Sequence, residues 1–263
     1  MVYDMNKDIQ LIHGDCLVEM KNIPDKSIDM ILCDLPYGTT ACKWDVIIPF
    51  DKLWEEYKRI RKDSAPIVLF GSEPFSTYLR MSNIKEYKYD WIWEKSRPSG
   101  INFKNQPMKK HEIISVFCKN KIEVFNAILE DREANGKISH RKPWATWNTG
   151  NSKHLKGKTD KKICNSKRKP TSILKFSSVS NFPKNLHPTQ KPVALLEYLI
   201  NTYTKDGETV LDNTMGSGST MIACINTNRK GIGIEKDEKY FEIAKNRVEK
   251  ALEEKNKPNL FNL

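Results

Sequence analysis

An α/β protein with a mostly parallel sheet is what the sequence predicts, on three observations. Short apolar runs alternate with segments of helical period through the first hundred residues. Near residue 216 a glycine-rich turn joins a strand pattern to a helix pattern, and an acid closes the strand that follows. Between these regions lies a polar, basic break of about seventy residues, too long for an ordinary loop in a compact domain, so the flanking α/β segments are read as halves of one sheet.

Taken in order, IQLIHGD (residues 9–15) and IDMILCD (28–34) read as buried strands, because their apolar runs are short and end in acids. Phe50, Leu53, Trp54, Tyr57 and Ile60 share one helical face, and APIVLFGS (65–72) is the next strand. YDWIWEK (89–95) and EIISVFCK (112–119) are two further strands. Period is then lost until HPTQKPVALLEYLINTY (187–203), a helix with Val193, Leu196, Leu199, Ile200 and Tyr203 inward. ETVLDN (208–213) is a strand, 220–226 a helix and KGIGIEK (230–236) a strand. A last helix from Asp237 carries an expected apolar stripe of Tyr240, Ile243, Ala244, Val248 and Ala251.

Charge is unevenly placed. The 263 residues carry a net +11, yet residues 134–191 alone hold fourteen Lys or Arg against one acid, Asp160. Such a concentration is the electrostatic footprint of a polyanion, nucleic acid above all, although a solvated lysine-rich loop has the same composition. The six cysteines form no C-x-x-C pair and the five histidines no i, i+4 pair, so neither a metal centre nor a disulfide framework is expected. No apolar run reaches membrane-spanning length and the first ten residues lack a signal-peptide pattern, so the expected location is the cytoplasm.

The segment VLDNTMGSGST (210–220) has the layout of a cofactor-binding strand, turn and helix. Gly216 and Gly218 allow close backbone approach, and Glu235 follows about twenty residues later, where a carboxylate accepts from both ribose hydroxyls. A third glycine and a Walker-type lysine are both missing, which favours a nucleoside ligand without pyrophosphate. A tight turn with Glu235 merely near a helix start is the structural alternative.

With DLPYG (34–38) and LDNTMGSGST (211–220) both in view, the chain resembles the S-adenosylmethionine-dependent DNA amino-methyltransferases. GDCLVEM (14–20) and HPTQKP (187–192) match two further motifs of that family. Their order resembles the circularly permuted beta class of N6-adenine type. The resemblance implies a Rossmann-like class I methyltransferase with a seven-stranded, mostly parallel, circularly permuted sheet. It assigns residues 1–119 and 187–263 to one catalytic domain and residues 120–186 to a basic target-recognition insert. Two departures stand out: Leu35 replaces the usual first proline, and Asn213-Thr214 stands where Pro-Phe is common.

An exocyclic base amine is a poor nucleophile, since its lone pair is delocalised into the ring. Asp34 can accept one N–H and the carbonyl of Leu35 or Pro36 the other, which localises the pair and stabilises developing positive charge. Pro36 fixes the turn, and Tyr37 offers a face for a flipped-out base, with Trp44 a possible wall of its pocket. The resemblance further implies Asp15 and Cys16 against the cofactor adenine and Glu235 on its ribose. Asp212, Thr214 and the Gly216–Gly218 loop would surround the methionine end, with His187, Thr189 and Lys191 at its carboxylate. In the insert, Arg141, Lys142, Trp144, Trp147, Lys161, Lys162, Lys167, Arg168 and Lys169 are candidate contacts to double-stranded DNA. A homodimer and a cognate restriction enzyme are further expectations of the family. Alternatives are transfer to the 4-amino group of cytosine, a catalytically silent nucleic-acid-binding relative, and a nicotinamide-dependent oxidoreductase, the last disfavoured by the missing glycine.

Overall fold

Apolar residues alternate across the central strands, and both sets are buried. In strand β3 (Met30–Cys33) and strand β4 (Ile67–Gly71), Met30, Leu32, Val68 and Phe70 join one core, whereas Ile31, Cys33, Ile67 and Leu69 join another on the opposite face. A sheet covered on both faces needs strands that are apolar throughout, which is why these read as continuous runs. The computed structural model describes residues 1–39, 45–99, 104–131, 167–178 and 190–257.

The remaining strands are β1 (Val2–Asp4), β2 (Ile9–His13), β5 (Tyr87–Ser99), β6 (Lys109–Phe117), β7 (Glu130–Asp131), β8 (Lys167–Arg168), β9 (Ile173–Phe176), β10 (Thr209–Asp212) and β11 (Lys230–Glu235). The main sheet runs β1-β2-β11-β10-β3-β4-β6-β5-β9. It has nine strands where seven were expected, because β1 adds antiparallel to β2 at one edge and β9 adds parallel to β5 at the other. From β2 through β11, β10 and β3 to β4 every pairing is parallel, and the antiparallel pairs lie at β1/β2, β4/β6 and β5/β6.

Among the described residues the α-helices are α1 (Cys16–Glu19), α2 (Phe50–Ile60), α3 (Phe75–Ser82), α4 (Val193–Tyr203), α5 (Ser219–Asn226) and α6 (Glu238–Asn256). Helices α4, α5 and α6 cover one face of the sheet, α2 and α3 the other. The inward face of α2 is Leu53, Trp54, Tyr57 and Ile60, as its period predicts, whereas Phe50, expected on the same face, is half-buried at the helix start. On α6 the buried stripe is Phe241, Ala244 and Val248. Tyr240 and Ile243 are only half-buried, since the ring of Phe241 packs on Tyr3 and His13 and sets the rotation of the helix.

The chain divides into a larger unit, Met1–Asn126 with Thr171–Leu263, and a smaller one, Ala127–Pro170. Residues 120–126 and 171–178, which the sequence reading placed in the insert, thus fall in the larger unit. The reason is pairing: Ile173–Phe176 lies in register with Ile92–Lys95, and Leu174 is buried in the core. Within the smaller unit β7 and β8 form a two-stranded antiparallel pair, where Arg168 meets Glu130 at 3.2 Å. No helix among the described residues is long and apolar enough to cross a membrane.

Because β9 belongs to the sheet, Leu174→Ala is expected to cost about 2–3 kcal/mol, the usual penalty for a buried leucine. Urea unfolding of the full chain measures it, and a loss below about 0.5 kcal/mol would mean that β9 adds nothing to the core.

Candidate active site

Four parallel strands end at one edge of the sheet, and each carries one of the expected motifs. Beyond β2 come Gly14 and Asp15, at the end of β11 stands Glu235, beyond β10 come Asn213 and the glycine loop, and beyond β3 Asp34. The carboxyl edge of a parallel sheet is where α/β proteins bind ligands, because loops there are free of the ladder and helix N-termini point toward it. Two bonds tie the motifs together: the Gly14 amide donates to the Glu235 carbonyl at 2.9 Å, and the Thr214 hydroxyl donates to the Asp34 carbonyl at 3.1 Å.

Asp34 is enclosed by donors. Its Oδ1 accepts from the Tyr37 hydroxyl at 2.6 Å, and its Oδ2 accepts from the Lys191 ammonium. Burial pushes the Asp34 carboxyl above the ordinary aspartate value; Lys191 opposes the rise and Glu112 reinforces it. Burial acts against the ammonium of Lys191 as well, yet Asp34 and Glu112 together lift its pKa above the ordinary lysine value. Tyr37 is driven well above the phenol range, first by burial and then by Asp34, so it stays a donor. Its ring leans on Phe75 at 5.0 Å between centroids.

The departures from the motif have structural roles. The side chain of Leu35 is buried in the core beneath the loop. Asn213 accepts from the Cys33 thiol at 2.8 Å and the Tyr57 hydroxyl at 2.5 Å, which anchors β10 to β3 and α2. Thr214, in the place of the aromatic, makes the bond to the Asp34 carbonyl. Beyond Tyr37, the carboxylate of Asp45 accepts from the amides of Gly38 and Thr39 at 2.8 and 2.9 Å and so holds the tetrad loop closed. Trp44 lies outside the described residues.

At the glycine loop, Asp212 accepts from the Thr214 amide at 3.1 Å and the Thr220 hydroxyl at 2.5 Å. Burial raises its carboxyl to about 7 against these bonds. Gly216 and Gly218 stand at φ +52° and +76°. A Cβ on Gly218 would also meet the Ala244 Cβ at 3.1 Å, so α6 packs on the loop where only glycine fits. Arg247 of α6 donates to the Ser217 carbonyl and, at 2.8 Å, to its hydroxyl, which pins the loop from behind. Glu235 accepts from the amides of Gly216 and Asp237 at 2.9 and 2.8 Å, and burial holds its carboxyl above the ordinary value. Asp15 caps α1 through the Leu17 amide and pairs with Lys236 at 3.0 Å, with the Cys16 thiol buried beside it.

Asp34, Leu35, Pro36, Tyr37, Asp15, Cys16, Asp212, Thr214, Gly216, Gly218 and Glu235 therefore gather at one sheet edge. Lys191, which the resemblance assigned to the cofactor carboxylate, instead places its ammonium on Asp34 and 3.3 Å from Glu112. His187 and Thr189 lie outside the described residues, as do Arg141, Lys142, Trp144, Trp147, Lys161 and Lys162. Lys167 and Arg168 form β8, and Lys169 is exposed next to it. Sequence reasoning missed Glu112, Lys95, Asp45 and Arg247. Of these only Glu112 left a trace, an acid entering an otherwise apolar strand.

A doubly wound sheet with the carboxylate of Asp34 beside a glycine loop at its carboxyl edge has the layout of the Rossmann-like methyltransferase class. The chain belongs to the N6/N4 methyltransferase family of DNA methylases, whose pattern matches residues 28–246. It is 30% identical over 258 residues to the type II methyltransferase M.HpaI of Haemophilus parainfluenzae, covering 92% of this chain and 74% of that protein. It is 29% identical over 266 residues to the DNA adenine methyltransferase YhdJ of Escherichia coli K12, covering 94% and 84%. Among solved structures, the M1.HpyAVI–SAM complex superposes with a TM-score of 0.61 at 27% identity, over 91% of this chain and 98% of that one. The cytosine-N4-specific PvuII DNA methyltransferase shares the fold with a TM-score of 0.65 at 15% identity, over 95% and 92%.

Asp212 has a folded pKa above its unfolded one, so the native state binds the extra proton between pH values near 4 and 7. Stability contributed by this group is present below that window and is lost as pH rises through it, by at most about 4 kcal/mol. Asp212→Asn is expected to flatten the fall in Tm between pH 5 and 7, roughly the span of the shift, in the cofactor-free protein; a wild-type slope in the variant would contradict the assignment. Gly218→Ala is expected to lower stability by about 1–3 kcal/mol through its left-handed backbone and the contact with Ala244; chemical denaturation measures this.

Proposed function

We propose that this DNA methylase transfers a methyl group from S-adenosylmethionine to the N6 amine of adenine in double-stranded DNA, at a base flipped out of the helix. The observation that carries the reading is the placement of Asp34. It is a half-buried acceptor just beyond β3, bonded through its own carbonyl to Thr214 of the glycine loop, so acceptor and loop share one small volume.

The residues at the edge fit the cofactor. Gly216 and Gly218 give the loop its left-handed backbone, Glu235 supplies a half-buried carboxylate for ribose hydroxyls, and Asp15 with Cys16 flanks the end of β2. Asp212 and the loop would take the methionine end, with His187 and Thr189 near its carboxylate. When bound, the cofactor supplies a sulfonium methyl, which the amine nitrogen takes as the S–C bond breaks and its electron pair stays on sulfur.

Asp34 accepts one amine N–H, and the carbonyl of Leu35 or Pro36 accepts the other, so the nitrogen lone pair is localised for in-line attack. The surplus proton then leaves to Asp34 or to solvent. Tyr37, held by Phe75 and Asp34, offers the extruded base a face to stack on, which offsets part of the few kcal/mol that flipping costs. The basic segment of residues 134–191 would neutralise phosphates, through Arg141, Lys142, Lys161, Lys162, Lys167, Arg168 and Lys169, with Trp144 and Trp147 near the bases. Cytoplasmic location, a homodimer and a cognate restriction enzyme complete this reading; the printed type II label of M.HpaI supports the last. Transfer to the 4-amino group of cytosine is the competing outcome; the adenine label of YhdJ favours the N6 amine.

The test is incubation with methyl-labelled cofactor and unmethylated mixed-sequence DNA, followed by digestion to nucleosides. Label is expected in adenosine; label in cytidine would reverse the base assignment, and none would refute transfer. Asp34→Ala is expected to lower the rate by at least about 100-fold while cofactor affinity changes little. Comparable loss of affinity would make its role structural. DNA affinity is expected to fall steeply with salt, with a shallower slope once several insert lysines are neutralised.

A further inference from the structure

Lys191 competes with a base amine for Asp34. Each Asp34 oxygen already accepts one hydrogen bond, from Tyr37 and from Lys191, which leaves one acceptor site on each. An amine gaining positive charge would share that carboxylate with an ammonium, and two cations on one acceptor repel each other.

A second carboxylate stands beside this ion pair. Glu112 lies on β6, opposite Trp93 of β5, and is buried close to the active edge. Its Oε1 is held by the Lys95 ammonium at 2.6 Å. Its Oε2 is buried and pairs with the Lys191 Nζ at 3.3 Å, a longer and less well aligned contact than the one Lys191 makes to Asp34. Lys191 is thus shared unequally between two carboxylates, and a small movement toward Glu112 is favoured as soon as Asp34 gains another donor.

Mobility is unequal in the sense this requires. Glu112 sits in the middle of a paired strand with its carboxylate clamped by Lys95, whereas Lys191 has a four-carbon stem. The rings of Phe70 and Tyr37 lie 5.2 and 6.0 Å from Nζ and give the cation aromatic faces on its way.

We propose that Glu112 is a positioning residue that receives the Lys191 ammonium when the base amine enters, freeing Asp34 Oδ2 for that amine. The proposal rests on the methyl-transfer reading above. Lys191 keeps Asp34 charged and satisfied while no base is present, and Glu112 takes over the cation when one arrives. Lys95 sets the orientation of Glu112 and does not move.

Single-turnover methylation of unmethylated mixed-sequence DNA by the full chain tests this, together with cofactor binding and thermal unfolding of each variant. Glu112→Gln is expected to bind cofactor within about 3-fold of wild type and to lower the single-turnover rate by about 30-fold or more, since Lys191 then stays on Asp34. Adding Lys191→Met to that variant is expected to restore at least about 5-fold of the lost rate, because the competing cation is gone. A residue that merely supports the fold would give losses that add. Glu112→Asp keeps the charge with a shorter reach and is expected to show a smaller loss; it replaces the glutamine variant should that one unfold. An unchanged rate in Glu112→Gln, or a double variant no faster than the single one, overturns the proposal. Absence of label with wild type would instead overturn the methyl-transfer reading on which it stands.

Discussion

Strands β3 and β10 are separated by most of the chain yet lie side by side in parallel, with Val210 opposite Met30 and Leu211 opposite Ile31. Everything at the site depends on that pairing. It brings Asp34 and Thr214 to the same height at one edge, close enough for the hydroxyl of one to bond the carbonyl of the other. Beneath them Asn213, Cys33 and Tyr57 form a buried polar knot that fixes the two strands and α2 in one register. A slip of one residue would turn Asp34 to the other face of the sheet, so the register also sets the geometry of the candidate site.

A second constraint is electrostatic. Asp34, Lys191, Glu112 and Lys95 alternate in sign, running from the residue after β3 to positions within β6 and β5. None is well solvated, so each depends on its neighbours to remain charged. Such a network contributes little net stability, but it holds a carboxylate in a dry place where a developing cation will feel it strongly. The nine-stranded sheet supplies the frame that holds Glu112 and Lys95 together, as neighbours on β6 and β5.

Much of this was legible in the sequence, for identifiable reasons. The tetrad Asp34-Leu35-Pro36-Tyr37 and the loop from Asp212 to Gly218 are contiguous, and contiguous residues keep their mutual geometry whatever the fold does around them. Helix faces were legible where apolar spacing was regular, as for Leu53, Trp54, Tyr57 and Ile60 on α2. On α6 the reading was displaced, because Phe241 is drawn inward by Tyr3 and His13, which belong to β1 and β2. Asp45 and Arg247 were not legible, for each is a single polar residue whose partner lies in another element or across a turn. The edge strand β9 was hidden inside a basic stretch, and only its pairing with β5 separates it from that stretch.

The sequence by itself determined the α/β class, the order of the motifs and the identity of the acid, the turn and the aromatic at the end of β3, because these are local properties of short segments. It also determined where positive charge is concentrated. Tertiary structure decided which charges meet: that Lys191 stands on Asp34 rather than at the glycine loop, that Glu112 waits beside it, and that Thr214 joins the two halves. Those are contacts between residues far apart in the chain. They exist only because strand order and register fold distant backbone onto one edge, and no spacing within the sequence encodes that distance.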